Sequence, residues 1–154
     1  MIKVLVDADS CPVVNLIADI ADLRQVEVWL IASFAHFLPE RSSLFLRKIQ
    51  VDSFPQAVDL YIANYTNPGD IVVTGDFGLA AVVLARRGIP VSPRGLIYHN
   101  ANIDAMLAQR HLAGRLRRGG RRVKGPKAFN KTDRQTFSQV LLNLLDNSGD
   151  IPRS

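Results

Sequence analysis

The sequence is poor in cysteine and lacks any long apolar run. Its 154 residues include one cysteine, Cys11, which excludes an internal disulfide framework and a zinc site built from several thiolates. No apolar run approaches the roughly 18 residues needed to cross a bilayer. Asp7 interrupts the first apolar stretch, so no signal-peptide layout is present. We therefore expect a soluble cytoplasmic protein with no membrane partner.

Acidic residues are missing from one stretch of the chain, 110–131. This basic segment holds nine of the 19 lysines and arginines, which leaves ten basic residues against 14 acidic ones elsewhere, a net charge of −4. Like charges at this density repel one another, and such segments commonly meet phosphates, most often those of nucleic acid. The alternative is a solvated surface loop that only improves solubility.

Apolar runs alternate with helical patterns over the first 90 residues. The patterns predict strands at 3–6, 26–32, 46–51, 71–74 and 89–91, and helices at 12–22, 56–65, 77–87, 103–116 and 132–145. Gly88 is expected to end the third helix, and Thr132 with Gln135 to form a capping box at the start of the last one. Strands alternating with helices indicate an α/β fold with a mostly parallel sheet, here followed by a helical C-terminal part.

Acidic residues follow two of the predicted strands. Asp7 and Asp9 come directly after the first strand, and Asp76 follows the strand at 71–74. Asp59 interrupts an apolar helical stretch whose beginning faces the same edge of the sheet. Ligands of parallel sheets bind beyond the carboxyl ends of the strands. Because converging carboxylates need a cation to offset their repulsion, this set predicts a Mg²⁺ or Mn²⁺ site for hydrolysis of a phosphodiester.

Other interpretations of these acids stay open. Asp9 or Asp76 is also well placed to cap the helix that follows it. An Asp-x-Asp pair after a buried strand resembles the opening of haloacid-dehalogenase-type phosphatases, with Asp7 as nucleophile and Asp9 as general acid. That scheme needs a positioned lysine, and the chain has none between Lys48 and Lys124. A nucleic-acid-binding module without catalysis would need the basic segment but not the acids.

Four strings of the sequence, together with Asp133, Arg134 and Phe137, resemble the bacterial YaiI/YqxD family. The strings are Val6–Val13, Ala57–Ile62, Gly69–Ala80 and Lys124–Phe129. The family is similar to the PIN-domain-like group, whose characterised members are Mg²⁺- or Mn²⁺-dependent ribonucleases with clustered acids. The resemblance implies a PIN-like three-layer fold, and it implies that Asp7, Asp59 and Asp76 form the acidic cluster with Asp9 as an additional member.

These observations combine into one hypothesis for the whole chain. We expect a single PIN-like domain over residues 1–146 with a tail at 147–154, and a metal-dependent nuclease that acts on RNA in preference to DNA. Arginine and lysine contacts to the phosphate backbone are expected from Arg94 and from the basic segment, and Arg94 is expected to orient the scissile phosphate. The residues of the segment expected to make these contacts are Arg115, Arg117, Arg118, Arg121, Arg122, Lys124 and Lys127.

Overall fold

The computed structural model describes residues 2–34, 36–120 and 128–147. Their strands form one five-stranded sheet in which every pairing is parallel, in the order β3-β2-β1-β4-β5. The strands are β1 (Val4–Asp7), β2 (Val28–Ser33), β3 (Leu46–Val51), β4 (Ile71–Val73) and β5 (Ile89–Val91). The helices are α1 (Val14–Arg24), α2 (Ala57–Tyr65), α3 (Phe77–Ala85), α4 (Asn100–Arg118) and α5 (Lys131–Asp146). The predicted α/β class with a helical C-terminal part is confirmed.

Apolar side chains cover both faces of the sheet, as a parallel sheet requires. Val4 and Val6 of β1 face α1 and α5, where the fully buried Phe137 and Leu141 of α5 complete the first core. The side chain of Leu5 points to the opposite face, where α2 and α3 form the second core. Because side chains alternate along a strand, Asp7 shares the face of Leu5 and points toward α2 and α3.

A third, smaller core attaches α4 to α3. It consists of the buried Ala80, Tyr98 and Ile103, with Phe77 and Met106 packed against them. This contact places the first turns of α4 beside the N-terminus of α3. The basic second half of α4 therefore extends from a point close to the carboxyl edge of the sheet.

Two predicted helix ends were wrong. The cap of α5 is Asn130 rather than Thr132: the Asn130 side chain accepts a hydrogen bond from the Asp133 backbone N–H at 2.9 Å, and Asp133 accepts in return from the Asn130 N–H at 3.0 Å. The left-handed residue after α3 is Arg87, with φ of 66°, not Gly88. Gly88 is needed for space, because a Cβ there would lie 2.8 Å from Val83 Cγ1.

Candidate active site at the carboxyl edge of the sheet

Asp7 lies at the topological switch point of the sheet, where successive strands change from being added on one side of β1 to being added on the other. In the order of the strands, β1 has β2 on one side and β4 on the other, which makes the space beyond β1 and β4 the crevice where ligands of open parallel sheets bind. The register pairs Val6 with Val73, so Asp7 is level with Thr74. The Thr74 hydroxyl donates a hydrogen bond to Asp7 Oδ2 at 3.1 Å, and both side chains are buried.

Asp76 enters the same crevice from the end of β4. It caps α3, because its Oδ1 accepts hydrogen bonds from the backbone N–H groups of Gly78 at 2.7 Å and Leu79 at 3.2 Å. Its own N–H donates to Thr74 Oγ1 at 3.0 Å. The capping alternative from the sequence is therefore a real contact of Asp76. It occupies one carboxylate oxygen and fixes the other relative to Asp7.

Asp59 is brought to Asp76 by the packing of α2 beside α3. It lies in the first turn of α2, after Gln56, whose φ of 69° starts the helix from a left-handed residue. The Asp59 and Asp76 carboxyl groups are within hydrogen-bonding reach of each other. Partial burial, the charges of Asp76 and Asp7, and this contact raise the pKa of Asp59 to about 6.

Burial and neighbouring carboxylates also raise the pKa of Asp7. Burial raises the pKa of its carboxyl, the hydrogen bond from Thr74 lowers it, and the charges of Asp9 and Asp76 raise it further. In the described part of the chain, no lysine, arginine or histidine forms an ion pair with Asp7, Asp59 or Asp76. Within the described residues, the three carboxyl groups thus repel one another with no ion-paired side chain to offset the repulsion.

Asp9 makes its side-chain contacts at the end of β2, and its charge also acts on Asp7. Its Oδ1 accepts a hydrogen bond from the Ser33 backbone N–H at 2.9 Å and lies 3.3 Å from Nδ1 of His36. These contacts tie the short 3-10 turn after β1 to the end of β2. His36 is half exposed and also contacts the Ser33 hydroxyl, at 3.2 Å.

An open cleft of about 480 Å³ lies over Asp7 and Asp76. We call it the acid cleft, and its lining residues are Asp7, Ser10, Gly75, Asp76, Phe77 and Arg110. Four of these residues, Ser10, Gly75, Phe77 and Arg110, were not predicted as site residues. Arg110 had a usable signal, because it falls seven residues after the buried Ile103 and so lies on the same face of α4.

The predicted phosphate contacts divide into three groups. Arg115, Arg117 and Arg118 lie in the last turn of α4 with exposed side chains, whereas Arg121, Arg122, Lys124 and Lys127 are outside the described residues. Arg94 lies away from the acid cleft: its guanidinium is 2.9 Å from Asp133 Oδ2 and 5.8 Å from the centre of the Phe129 ring. It links the loop after β5 to the start of α5.

A protein-family model matches nearly the whole chain. The model of the family described as "Uncharacterized BCR, YaiI/YqxD family" matches residues 5–147. The chain belongs to the YaiI/YqxD family. The resemblance noted in the sequence is thereby confirmed.

Several relatives match the YaiI/YqxD chain over nearly its whole length. A UPF0178 protein of Halalkalibacterium halodurans is 40% identical over 149 residues, covering 97% of this chain and 94% of the relative. A UPF0178 protein of Bacillus velezensis is 43% identical over 148 residues, covering 96% of this chain and 88% of the relative. One from Alkaliphilus metalliredigens is 40% identical over 144 residues, covering 94% and 92%. No solved structure matches the chain.

Two further features of this YaiI/YqxD chain concern its cysteine and its helices. Burial raises the pKa of the Cys11 thiol to about 12, so Cys11 is not a thiolate nucleophile at neutral pH. None of the described helices is long and apolar enough to span a membrane.

Proposed function

We propose that this protein is a divalent-metal-dependent nuclease that hydrolyses phosphodiester bonds in RNA in preference to DNA. The observation that carries the proposal is the meeting of Asp7, Asp59 and Asp76, which come from three different elements. The charge of Asp76 raises the pKa of both Asp7 and Asp59. Crowded carboxyl groups of this kind either keep a proton or bind a cation.

The donor set fits Mg²⁺ or Mn²⁺. Hard cations prefer carboxylate oxygens, and Mg²⁺ is usually bound by one or two carboxylates, with water and substrate phosphate completing its coordination. Among the described residues, no three Asp, Glu, His or Cys side chains already form a metal-binding group. The close pair of Asp59 and Asp76, with Asp7 beside it, would hold the ion, and Asp9 remains a predicted additional member. When bound, the ion would lower the pKa of water and stabilise the leaving oxygen.

The protein's own side chains supply the rest of the chemistry. Asp7 and Asp76 are held in place by hydrogen bonds from Thr74 and from the start of α3. Asp59 contacts Asp76 from the first turn of α2 and completes the set of carboxylates that would hold the ion. The Arg110 guanidinium at the wall of the acid cleft offsets the repulsion between these acids and an incoming phosphate.

The phosphatase alternative is less well supported. That scheme uses Asp9 as a general acid beside the nucleophile Asp7. In the structure, Asp9 Oδ1 already accepts from the Ser33 N–H at 2.9 Å, and Asp9 is absent from the residues lining the acid cleft. We therefore favour cleavage of a diester by water.

The choice of nucleic acid as the substrate rests on the basic half of α4. Arg115, Arg117 and Arg118 are exposed on the helix whose middle lines the acid cleft. If these three arginines neutralise backbone phosphates, log affinity for a single strand should fall with log salt by about 0.7 for each phosphate contacted. Replacing all three with glutamine should flatten the slope by about 2. An unchanged slope would mean that they form only a solvated surface.

The decisive experiment is a cleavage assay on labelled single-stranded RNA, single-stranded DNA and duplex RNA with Mg²⁺, Mn²⁺ or EDTA. We expect metal-dependent cleavage of RNA by the wild type and a loss of at least about 100-fold in Asp7→Asn and Asp59→Asn, because each variant lacks a carboxylate that would hold the ion. Asp52→Asn is the matched control, because it removes an exposed carboxylate from the loop before α2.

The outcomes separate the candidate functions. Metal-dependent diester cleavage that is lost in both site variants supports the proposal. Turnover of a phosphomonoester with an acyl-phosphate on Asp7, detected by intact-protein mass spectrometry, would establish the phosphatase instead. RNA binding with no turnover under any metal condition would identify a binding module.

A further inference from the structure

We infer that the acid cleft seats one unpaired nucleotide of single-stranded RNA, with its base against Phe77 and its phosphate beside Arg110. The choice of RNA rests on the proposed function, but the seating itself requires no cleavage. It adds to the proposed function that the substrate is single-stranded, and it names the two residues that would contact the nucleotide.

Phe77 is a fixed aromatic wall of the cleft. It follows Asp76 directly, at the first position of α3, so its ring is adjacent to the capping carboxylate. Tyr98, only 3% exposed, contacts the Phe77 ring edge to face, with ring centres 5.9 Å apart at 66°. Phe77 therefore keeps one side in the small core of α3 and α4 while another part lines the cleft. A ring held in this way loses little side-chain entropy when a base stacks on it.

Arg110 stands where an apolar residue would continue the packed face of α4. Ile103 is buried against α3, and Met106 packs beside it. Position 110 lies one helical turn after Met106, on the same face of α4. At that point the neighbour across the gap is the acid cleft rather than the core. No hydrogen bond or ion pair joins Arg110 to a carboxylate within the described residues. A planar guanidinium is suited to binding two phosphate oxygens at once.

The size and chemistry of the cleft favour a single unpaired nucleotide. Its volume of about 480 Å³ lies in the range of sites for small ligands. It combines an aromatic surface, a cation and two carboxylates on adjoining walls. A base inside a duplex is covered on both faces by its neighbours, so only an unpaired base can offer a face to Phe77.

The test measures binding by fluorescence anisotropy in EDTA at low salt, so that no turnover occurs. The two probes are a labelled five-residue oligouridylate and a ribose-phosphate chain of the same length that lacks bases. We expect the wild type to prefer the oligouridylate by at least about fivefold, the lower limit for stacking of one base. Phe77→Leu should abolish this preference, and Phe77→Trp should keep it. Arg110→Gln should weaken binding of both probes equally, by about tenfold.

Matched controls exclude general effects of charge or folding. Arg86→Gln changes an exposed arginine at the far end of α3, and Tyr65→Leu changes an exposed aromatic residue at the far end of α2. Both should bind the two probes as the wild type does, with unchanged circular dichroism.

The inference falls if the wild type binds both probes equally, or if Phe77→Leu retains the preference while remaining folded. It also falls if Arg110→Gln binds with unchanged affinity. A preserved base preference in a protein that cleaves nothing would overturn the proposed function and leave the seating intact. Cleavage without a base preference would do the reverse.

Discussion

Replacing Asp59 with asparagine should stabilise the metal-free protein at neutral pH. The carboxylate of Asp59 is crowded by Asp76 and Asp7, and an asparagine at this position removes one negative charge while its amide N–H₂ can still donate to Asp76. The substitution therefore takes away repulsion and keeps the contact between α2 and α3. Most substitutions at hydrogen-bonded positions are destabilising, so a gain in stability is a specific expectation.

The magnitude follows from the pKa of Asp59, which rises from 3.8 to about 6 on folding. At about 1.36 kcal/mol for each pKa unit this corresponds to a ceiling near ~3 kcal/mol. Asp59 is partly exposed, and water screens its charge, so we expect about 1 kcal/mol. The folded protein holds the proton more tightly than the unfolded chain. The free energy of unfolding should therefore fall as pH rises from about 4 to about 6, and stay level above that.

Denaturation by urea in EDTA at pH 4 and pH 7.5 measures this difference. Trp29, the only tryptophan, is 9% exposed and packs against Tyr65, so its fluorescence reports on unfolding of the sheet. Asp59→Asn should be more stable than the wild type at pH 7.5 and equal to it at pH 4. Asp52→Asn should follow the wild type at both pH values.

Two outcomes would refute this reasoning. One is a stability difference between Asp59→Asn and the wild type that does not change with pH. The other is an Asn variant that is less stable than the wild type at pH 7.5. The complementary measurement adds Mn²⁺ at pH 7.5, which should raise the melting temperature of the wild type and leave that of Asp59→Asn nearly unchanged.

Three further predictions concern the scaffold, each checked by chemical denaturation. Gly95→Ala should lower the free energy of unfolding by about 2 kcal/mol. Gly95 has φ of +91°, and an added Cβ would lie 2.9 Å from Thr136 Cγ2. Because Asn130 caps α5, Asn130→Ala should cost about 1 kcal/mol of stability. Thr132→Ala should change stability by less than about 0.5 kcal/mol. The reverse order would support the capping box predicted at Thr132. Leu141→Ala, at a fully buried position, should cost about 3 kcal/mol, and a loss below about 1 kcal/mol would contradict its place in the core.

The order of strands and helices could be predicted from the sequence because periodicity reports burial directly. The run before Asp7 is continuously apolar, as in a strand covered on both faces, and β3 was predicted with the bounds that the structure shows, Leu46–Val51. Phe137 and Leu141 lie four residues apart on one apolar face of α5, and both are fully buried. The helix ends were less predictable, because several polar residues near each end compete to cap it and the geometry of the preceding loop selects one.

The candidate site was only partly accessible from the sequence. That acids follow two strands is a local fact, and parallel sheets bring such residues to one edge. The contact of Asp59 with Asp76 depends on α2 packing beside α3, which joins residues 17 positions apart through a shared apolar face. The attachment of Asp9 to the end of β2, outside the lining of the acid cleft, depends on the Ser33 N–H, a backbone group that no sequence pattern reveals.

Arg94 and Arg110 show the same division most clearly. Both are cations near the end of the α/β part in the sequence, and charge alone does not distinguish them. The tertiary structure pairs Arg94 with Asp133 and places Arg110 at the acid cleft, because α5 returns to the loop after β5 while α4 crosses the N-terminus of α3. The sequence by itself determined which elements form and which chemical groups are available. Packing between elements distant in the chain decided which of those groups meet, since side chains come into contact only where the apolar faces of their helices are buried together.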